Sequence, residues 1–140
     1  MKRQGGFTLI EMIVVIVILG ILAATAAPKF FDFKTDAQNA ALQGLKGAID
    51  GAANVTFAEV QVNGSAAGIT VTDEGYPTAA ELGIGAAVTG LSTDWVSNYD
   101  VANKAQYALK GQTIGTDVTC VIYEFDANKF PKTTVKACEE

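Results

Sequence analysis

The chain has 140 residues, which accommodates one compact domain plus one helix of membrane length. Ten Lys and Arg stand against 15 Asp and Glu, a formal net charge of −5, with the lysines scattered. That balance speaks against nucleic-acid binding by phosphate neutralisation, and the lack of histidine removes the usual general base and the commonest metal ligand.

Lys2 and Arg3 come first, then Gly5 and Gly6, then an apolar run from Phe7 to Ala27. Those 21 residues hold one charge, Glu11. As a helix the run spans about 30 Å, roughly one hydrocarbon core. A basic end before a long apolar run predicts a membrane segment with its basic end in the cytoplasm. The small-residue site lies before the run rather than after it. Cleavage after Gly6 therefore removes a short leader, residues 1–6, and keeps the apolar helix, residues 7–28. It also takes the ten basic residues to eight against 15 acidic, a balance of −7. Glu11 is the expensive residue, because a carboxylate inside a membrane helix costs about 2.5–3.5 kcal/mol on insertion scales. The nearest cation for it is the α-amino group that cleavage before Phe7 creates. That amine lies one turn away in the same helix, and equally near in a staggered second copy.

Gly6-Phe7-Thr8-Leu9-Ile10-Glu11 resembles the class III signal of the type IV prepilins and their pseudopilin relatives. The resemblance implies that a prepilin peptidase at the inner membrane cuts after Gly6 and N-methylates Phe7. It implies passage through an inner-membrane assembly platform into a homopolymer, an extracellular pilus, with Thr8, Glu11, Gly20 and Pro28 serving subunit assembly. Residues 41–52 and Gly75-Tyr76-Pro77-Thr78 are further similar to the mannose-sensitive haemagglutinin (MSHA) branch of that family. A surface filament for adhesion, motility and biofilm formation follows as an expectation, with host or environmental glycans as partners.

Gly20 and Ala24 are small and four apart, a spacing that lets helices approach closely. Pro28 lacks an N–H and is expected to kink or loosen the helix. The resemblance adds that Gly20 to Pro28 loses helical order in assembled pili. From Lys29 the pattern turns amphipathic. Ala37, Ala41, Leu45, Ala48, Ile49, Ala52 and Ala53 recur at helical spacing, and Lys46 and Asp50 are set to pair at i,i+4. Gly44, Gly47 and Gly51 form a second stripe. Each costs about 1 kcal/mol relative to alanine, so something is expected close to the backbone there, either a strand of the same chain or the helix of a neighbour. The helix is predicted to end near Phe57 or Glu59, for a total length of about 75 Å.

Val60-Gln61-Val62 reads as the start of a strand ended by Asn63-Gly64. Ile69 to Thr72 reads as a short strand before the Asp73-Glu74-Gly75 turn. Pro77 to Leu82 reads as a short helix with Thr78 as its cap. Trp95, Val96 and Tyr99 are expected to anchor this connection to the core. Tyr107 to Lys110 reads as a short strand, and Val118 to Phe125, rich in β-branched and aromatic residues, as the best strand of the chain. Asp126 to Lys129 turns, and Thr133 to Ala137 returns as its hairpin partner. Cys120 and Cys138 read as one disulfide in an exported chain. A two-cysteine zinc site is the rival, needing two carboxylates to complete it.

The expected fold is α+β, a long N-terminal helix whose second half lies on a small antiparallel sheet, with residues 29–140 as the head. No nucleotide loop, metalloprotease helix or serine elbow is present. No cofactor is expected, and the chain reads as a structural protein rather than an enzyme. The rivals are a type II secretion pseudopilin and a membrane-anchored monomer that binds glycans at its sheet edge or near Trp95.

Overall fold

A computed structural model describes residues 6–139, without the side chains of Phe31 and Asp32. The basic part of the expected leader, with Lys2 and Arg3, lies outside the described residues. The apolar run and the amphipathic stretch after it form one helix, α1, Leu9–Asn63. Two short helices and four strands follow. These are α2 (Ile84–Ala87), α3 (Leu91–Asp94), β1 (Trp95–Asn98), β2 (Lys104–Leu109), β3 (Thr119–Phe125) and β4 (Pro131–Ala137). The four strands make one antiparallel sheet in the order β1-β2-β3-β4. The chain divides into two compact units, one ending at Ala37 and one beginning at Gln38.

In the first unit every described side chain from Phe7 to Phe30 is exposed. The helix there is long and apolar enough to cross a membrane. Helical structure runs unbroken through Gly20 and Pro28.

In the second unit, Leu42, Leu45, Ile49, Ala53 and Thr56 are the buried stripe of α1. The expected stripe is thus corrected. Leu42 belongs to it, while Ala37, Ala41 and Ala48 are exposed. The difference is physical. A leucine removes far more apolar area from water than an alanine, so the large side chains fix which face turns inward. The stripe packs with Ala105, Tyr107, Val121 and Tyr123 of the sheet's inner face and with Ile84 and Leu91. Burial pushes the pKa of both Tyr107 and Tyr123 up, so both stay neutral. The Tyr123 hydroxyl donates to the Pro77 carbonyl at 2.8 Å. The outer face of the sheet has its own small core of Ala108, Cys120, Ile122 and Cys138.

α1 runs past the expected end, and Val60-Gln61-Val62 is helix rather than strand. Phe57 stacks on Tyr76 with centroids 4.6 Å apart, which anchors the extra turns. Gly64, at φ +77, then stops the helix by donating to the Val60 carbonyl. Ile69 to Thr72 is no strand. It contributes one bridge, Val71 to Pro77, across a turn in which the Thr72 N–H donates to the Tyr76 carbonyl at 2.7 Å. Pro77 to Leu82 is no helix, and Thr78 caps nothing. Its N–H and hydroxyl both donate to the Thr70 carbonyl, and its own carbonyl accepts from Ile84. Trp95 to Asn98 is an edge strand, and Trp95 and Tyr99 pack against the core as expected.

The glycines divide into two kinds. A Cβ at Gly83 would lie 2.2 Å from the Thr78 carbonyl oxygen, whereas a Cβ at Gly44, Gly47 or Gly51 would meet nothing within 4 Å. Among the described residues no strand lies on the glycine stripe, which leaves the helix of a neighbouring copy as the expected partner there. Gly83→Ala is accordingly expected to destabilise the head by about 3 kcal/mol, because the backbone at Thr78 has to move. Gly44→Ala should instead stabilise the solubilised chain by about 1 kcal/mol. Denaturant unfolding followed by Trp95 fluorescence distinguishes the two.

Candidate functional site

The chemistry-bearing residues of the first unit gather where α1 begins. Leu9 is the first helical residue, so Thr8 is the N-cap and Glu11 the third position of the first turn. The Thr8 N–H donates to Glu11 Oε2 at 2.7 Å, and the Thr8 hydroxyl donates to the same oxygen at 2.7 Å. In return the Glu11 N–H donates to Thr8 Oγ1 at 3.4 Å. This is a capping box, in which two otherwise unpaired backbone donors are satisfied reciprocally. The sequence carried its signal, Thr followed three residues later by Glu, which the reading of Glu11 as an amine partner passed over. Phe7 is 82% exposed. Phe7, Ile10, Glu11, Val14 and Val15 line a shallow groove on one side of the first turns.

Further along, a Cβ at Gly20 would meet nothing within 4 Å. Pro28 has no N–H to give the Ala24 carbonyl. Beside it the Thr25 hydroxyl folds back on the helix, donating to the Leu22 carbonyl at 3.0 Å and approaching that of Ile21 at 3.3 Å. The side-chain donors of the run, Thr8 and Thr25, are thus satisfied inside the helix, as a hydrocarbon surrounding demands.

In the second unit Cys120 and Cys138 are bonded, with Cα atoms 5.0 Å apart. Strand pairing carries β4 as far as Ala137 opposite Thr119. Beyond it the Cys138 N–H donates to the Val118 carbonyl at 2.8 Å. Gln106, fully buried on β2, then holds Glu139 by both main-chain groups. Its Nε2 donates to the Glu139 carbonyl and its Oε1 accepts from the Glu139 N–H, each at 2.7 Å. The Glu139 carboxylate is hydrogen-bonded by Lys104 and by Lys136, the latter at 2.6 Å. Lys104 also pairs with Glu124 at 3.2 Å. Sequence reasoning missed this clasp, since nothing in local pattern links Gln106 to a residue 33 positions away.

The turn at Asp73 and Glu74, Asn103 and the β3–β4 hairpin border an open cleft of about 590 Å³, with Phe125 in its wall. The Glu74–Lys129 ion pair of 3.0 Å borders it. Asp126 is committed to the hairpin turn, accepting from the N–H groups of Asn128 and Phe130 at 2.9 Å. Among the described residues no three His, Cys, Asp or Glu are placed to hold a metal ion.

Residues 1–27 match the prokaryotic N-terminal methylation motif. Over 114 residues the chain is 35% identical to fimbrial protein EcpC of Eikenella corrodens, covering 77% of this chain and 74% of that protein. The chain belongs to the type IV pilin family of fimbrial proteins. This pilin is also 44% identical over 80 residues to the type IV narrow pilus major component PilA5 of Thermus thermophilus, 57% of this chain and 58% of that one. It is 46% identical over 54 residues to the type II secretion system core protein G of Klebsiella pneumoniae, 36% of this chain and 39% of that one. No solved structure matches it. The pilin is a structural subunit, as its relatives are, not an enzyme.

The ion pairs of the clasp are expected to make the stability of the pilin head depend on pH in the acid range. Hydrogen bonds from Lys104 and then Lys136 hold the Glu139 carboxyl at about 2, below its ordinary 4.5. A lowered folded value stabilises the fold fully above the unfolded value and is lost as pH falls from about 4.5 toward 2. Unfolding midpoints of wild type and Glu139→Gln should therefore differ at neutral pH and converge across that window. High salt should narrow the difference.

Proposed function

We propose that this type IV pilin is the major subunit of an adhesive surface pilus of the MSHA type. The observation that carries the reading is the Gly6-Phe7-Thr8-Leu9-Ile10-Glu11 motif at the start of an apolar helix whose described side chains are exposed from Phe7 to Phe30. The precursor sits in the inner membrane as a single-pass protein, basic leader in the cytoplasm and head outside. Prepilin peptidase removes residues 1–6 and N-methylates Phe7. The assembly platform then moves the subunit from lipid into a homopolymer, where residues 7–28 of many copies bury one another. Gly20 to Pro28 loosens on assembly, and the head, residues 29–140, faces outward toward its glycan receptors. Adhesion, motility and biofilm formation are the work of that filament.

In the filament Glu11 pairs with the Phe7 amine of a neighbour. An unpaired charge in an apolar core penalises a misaligned subunit and so sets axial register. The open stripe of Gly44, Gly47 and Gly51 supports close approach by another copy, since none of the described residues occupies it. A second reading, a type II secretion pseudopilin, is favoured by the stretch shared with core protein G. It predicts a short periplasmic piston instead of a sheared surface fibre.

Glu11→Ala should be cut and methylated but build no filaments. Thr8→Ala, which removes the cap and keeps the carboxylate, should still build them. Intact mass of the membrane fraction and of sheared fibres reads both. Normal piliation by Glu11→Ala would sink the pairing, and an uncleaved chain found only in membranes would sink the filament reading.

A further inference from the structure

The strand pairing of β3 with β4 ends at Ala137, one residue short of Cys138. Besides the disulfide itself, a set of contacts that do not involve sulfur holds the chain beyond that point. Cys138 donates to Val118, Gln106 takes both main-chain groups of Glu139, and Lys104 and Lys136 hold its carboxylate. The segment so held contributes Cys138 to the outer-face core, beside the fully buried Ala108, Cys120 and Ile122. A buried amide is costly when it loses its partners, and Gln106 is fully buried with both ends of its amide spent on one residue. Each of these contacts is available to a chain whose cysteines are still thiols.

We propose that the Gln106–Glu139 clasp seats the C-terminal segment before Cys120 and Cys138 are joined, and thereby sets how readily their disulfide forms and how well it resists reduction. The physical argument is linkage. The cysteines are 18 positions apart, and closing such a loop from a disordered chain is entropically expensive. Where the clasp has already ordered the segment, less of that cost remains for the covalent step, and the effective concentration of one thiol at the other rises. The oxidant is a glutathione disulfide. The two protein thiols give up two electrons and two protons, the protein S–S bond forms, and two reduced glutathione molecules leave. Gln106 is a positioning residue here and takes no part in the exchange. The inference is independent of whether the pilin builds a filament.

The test uses the full chain in detergent micelles, equilibrated in glutathione redox buffers, with free thiols counted by maleimide mass tagging. Two hydrogen bonds are removed by Gln106→Leu, which keeps the volume. The effective concentration should fall roughly tenfold to a hundredfold, while Lys132→Ala, elsewhere on β4, should leave it unchanged. Glu139→Gln, which keeps the main-chain bonds, should fall less than Gln106→Leu. A change below about twofold in Gln106→Leu would mean that strand pairing alone places Cys138 and would overturn the proposal. A wild-type measurement stands beside it should the variant not fold. In the reduced wild-type chain the Glu139 amide hydrogen should exchange at least about tenfold more slowly than in a free peptide. Exchange at the free-peptide rate also overturns it.

Discussion

Exposed apolar side chains from Phe7 to Phe30 are the constraint on which the rest of this pilin depends. Water is a poor surrounding for such a helix, because each fully exposed Leu, Ile or Val forgoes about 1.5–3 kcal/mol of burial. Lipid, and then other copies of the pilin, are the covers proposed for it. Either environment forbids unpaired polar groups, and the segment is written accordingly. Its threonines return their hydroxyls to the helix, and its one acid accepts from the first turn. The fold of the second unit follows a different rule, since there one stripe of α1 is buried and the rest is wet.

That second unit shows how few large residues a small head requires. Leu42, Leu45 and Ile49 supply the helix side of the core, and Tyr107, Val121 and Tyr123 the sheet side. The long connection between them is held by polar geometry more than by area. Thr70, Thr78 and Leu82 close on one another through backbone bonds, and Tyr123 reaches out from under the sheet to Pro77. Gly83 permits that closure because no Cβ fits against Thr78. The connection is irregular in conformation but not in constraint.

The legibility of the sequence tracks how local the determining interaction is. The apolar run, the amphipathic stretch, the strand around Val121 and its hairpin partner are set by composition and period over a few residues, and the structure has them. The disulfide was legible because two cysteines in an exported chain leave few choices. The connection from Asn63 to Trp95 was not legible, since Val60 is helical on account of Phe57 stacking on Tyr76, and Thr78 bonds to Thr70 rather than capping. β1 is four residues without alternation, a strand only because β2 is there to receive it. At the candidate site the cap between Thr8 and Glu11 was written in the sequence and overshadowed by the charge on Glu11. The hold of Gln106 on Glu139 was written nowhere, because a buried glutamine looks like any other until the fold brings its partner.

The cap and the proposed pairing of Glu11 are compatible on geometric grounds. Both bonds from Thr8 converge on Oε2, while a carboxylate offers about four acceptor positions over two oxygens. An amine approaching from the N-terminal side meets a carboxylate already drawn back toward Thr8 rather than one free to turn. Holding the acid in that orientation lowers the rotamer entropy an ion pair has to surrender. The threonine of the motif then has a physical reason of its own. It completes the first turn of the helix, and it aims the only charge between Phe7 and Ala27 at the end of the chain where a new amine is proposed to arise.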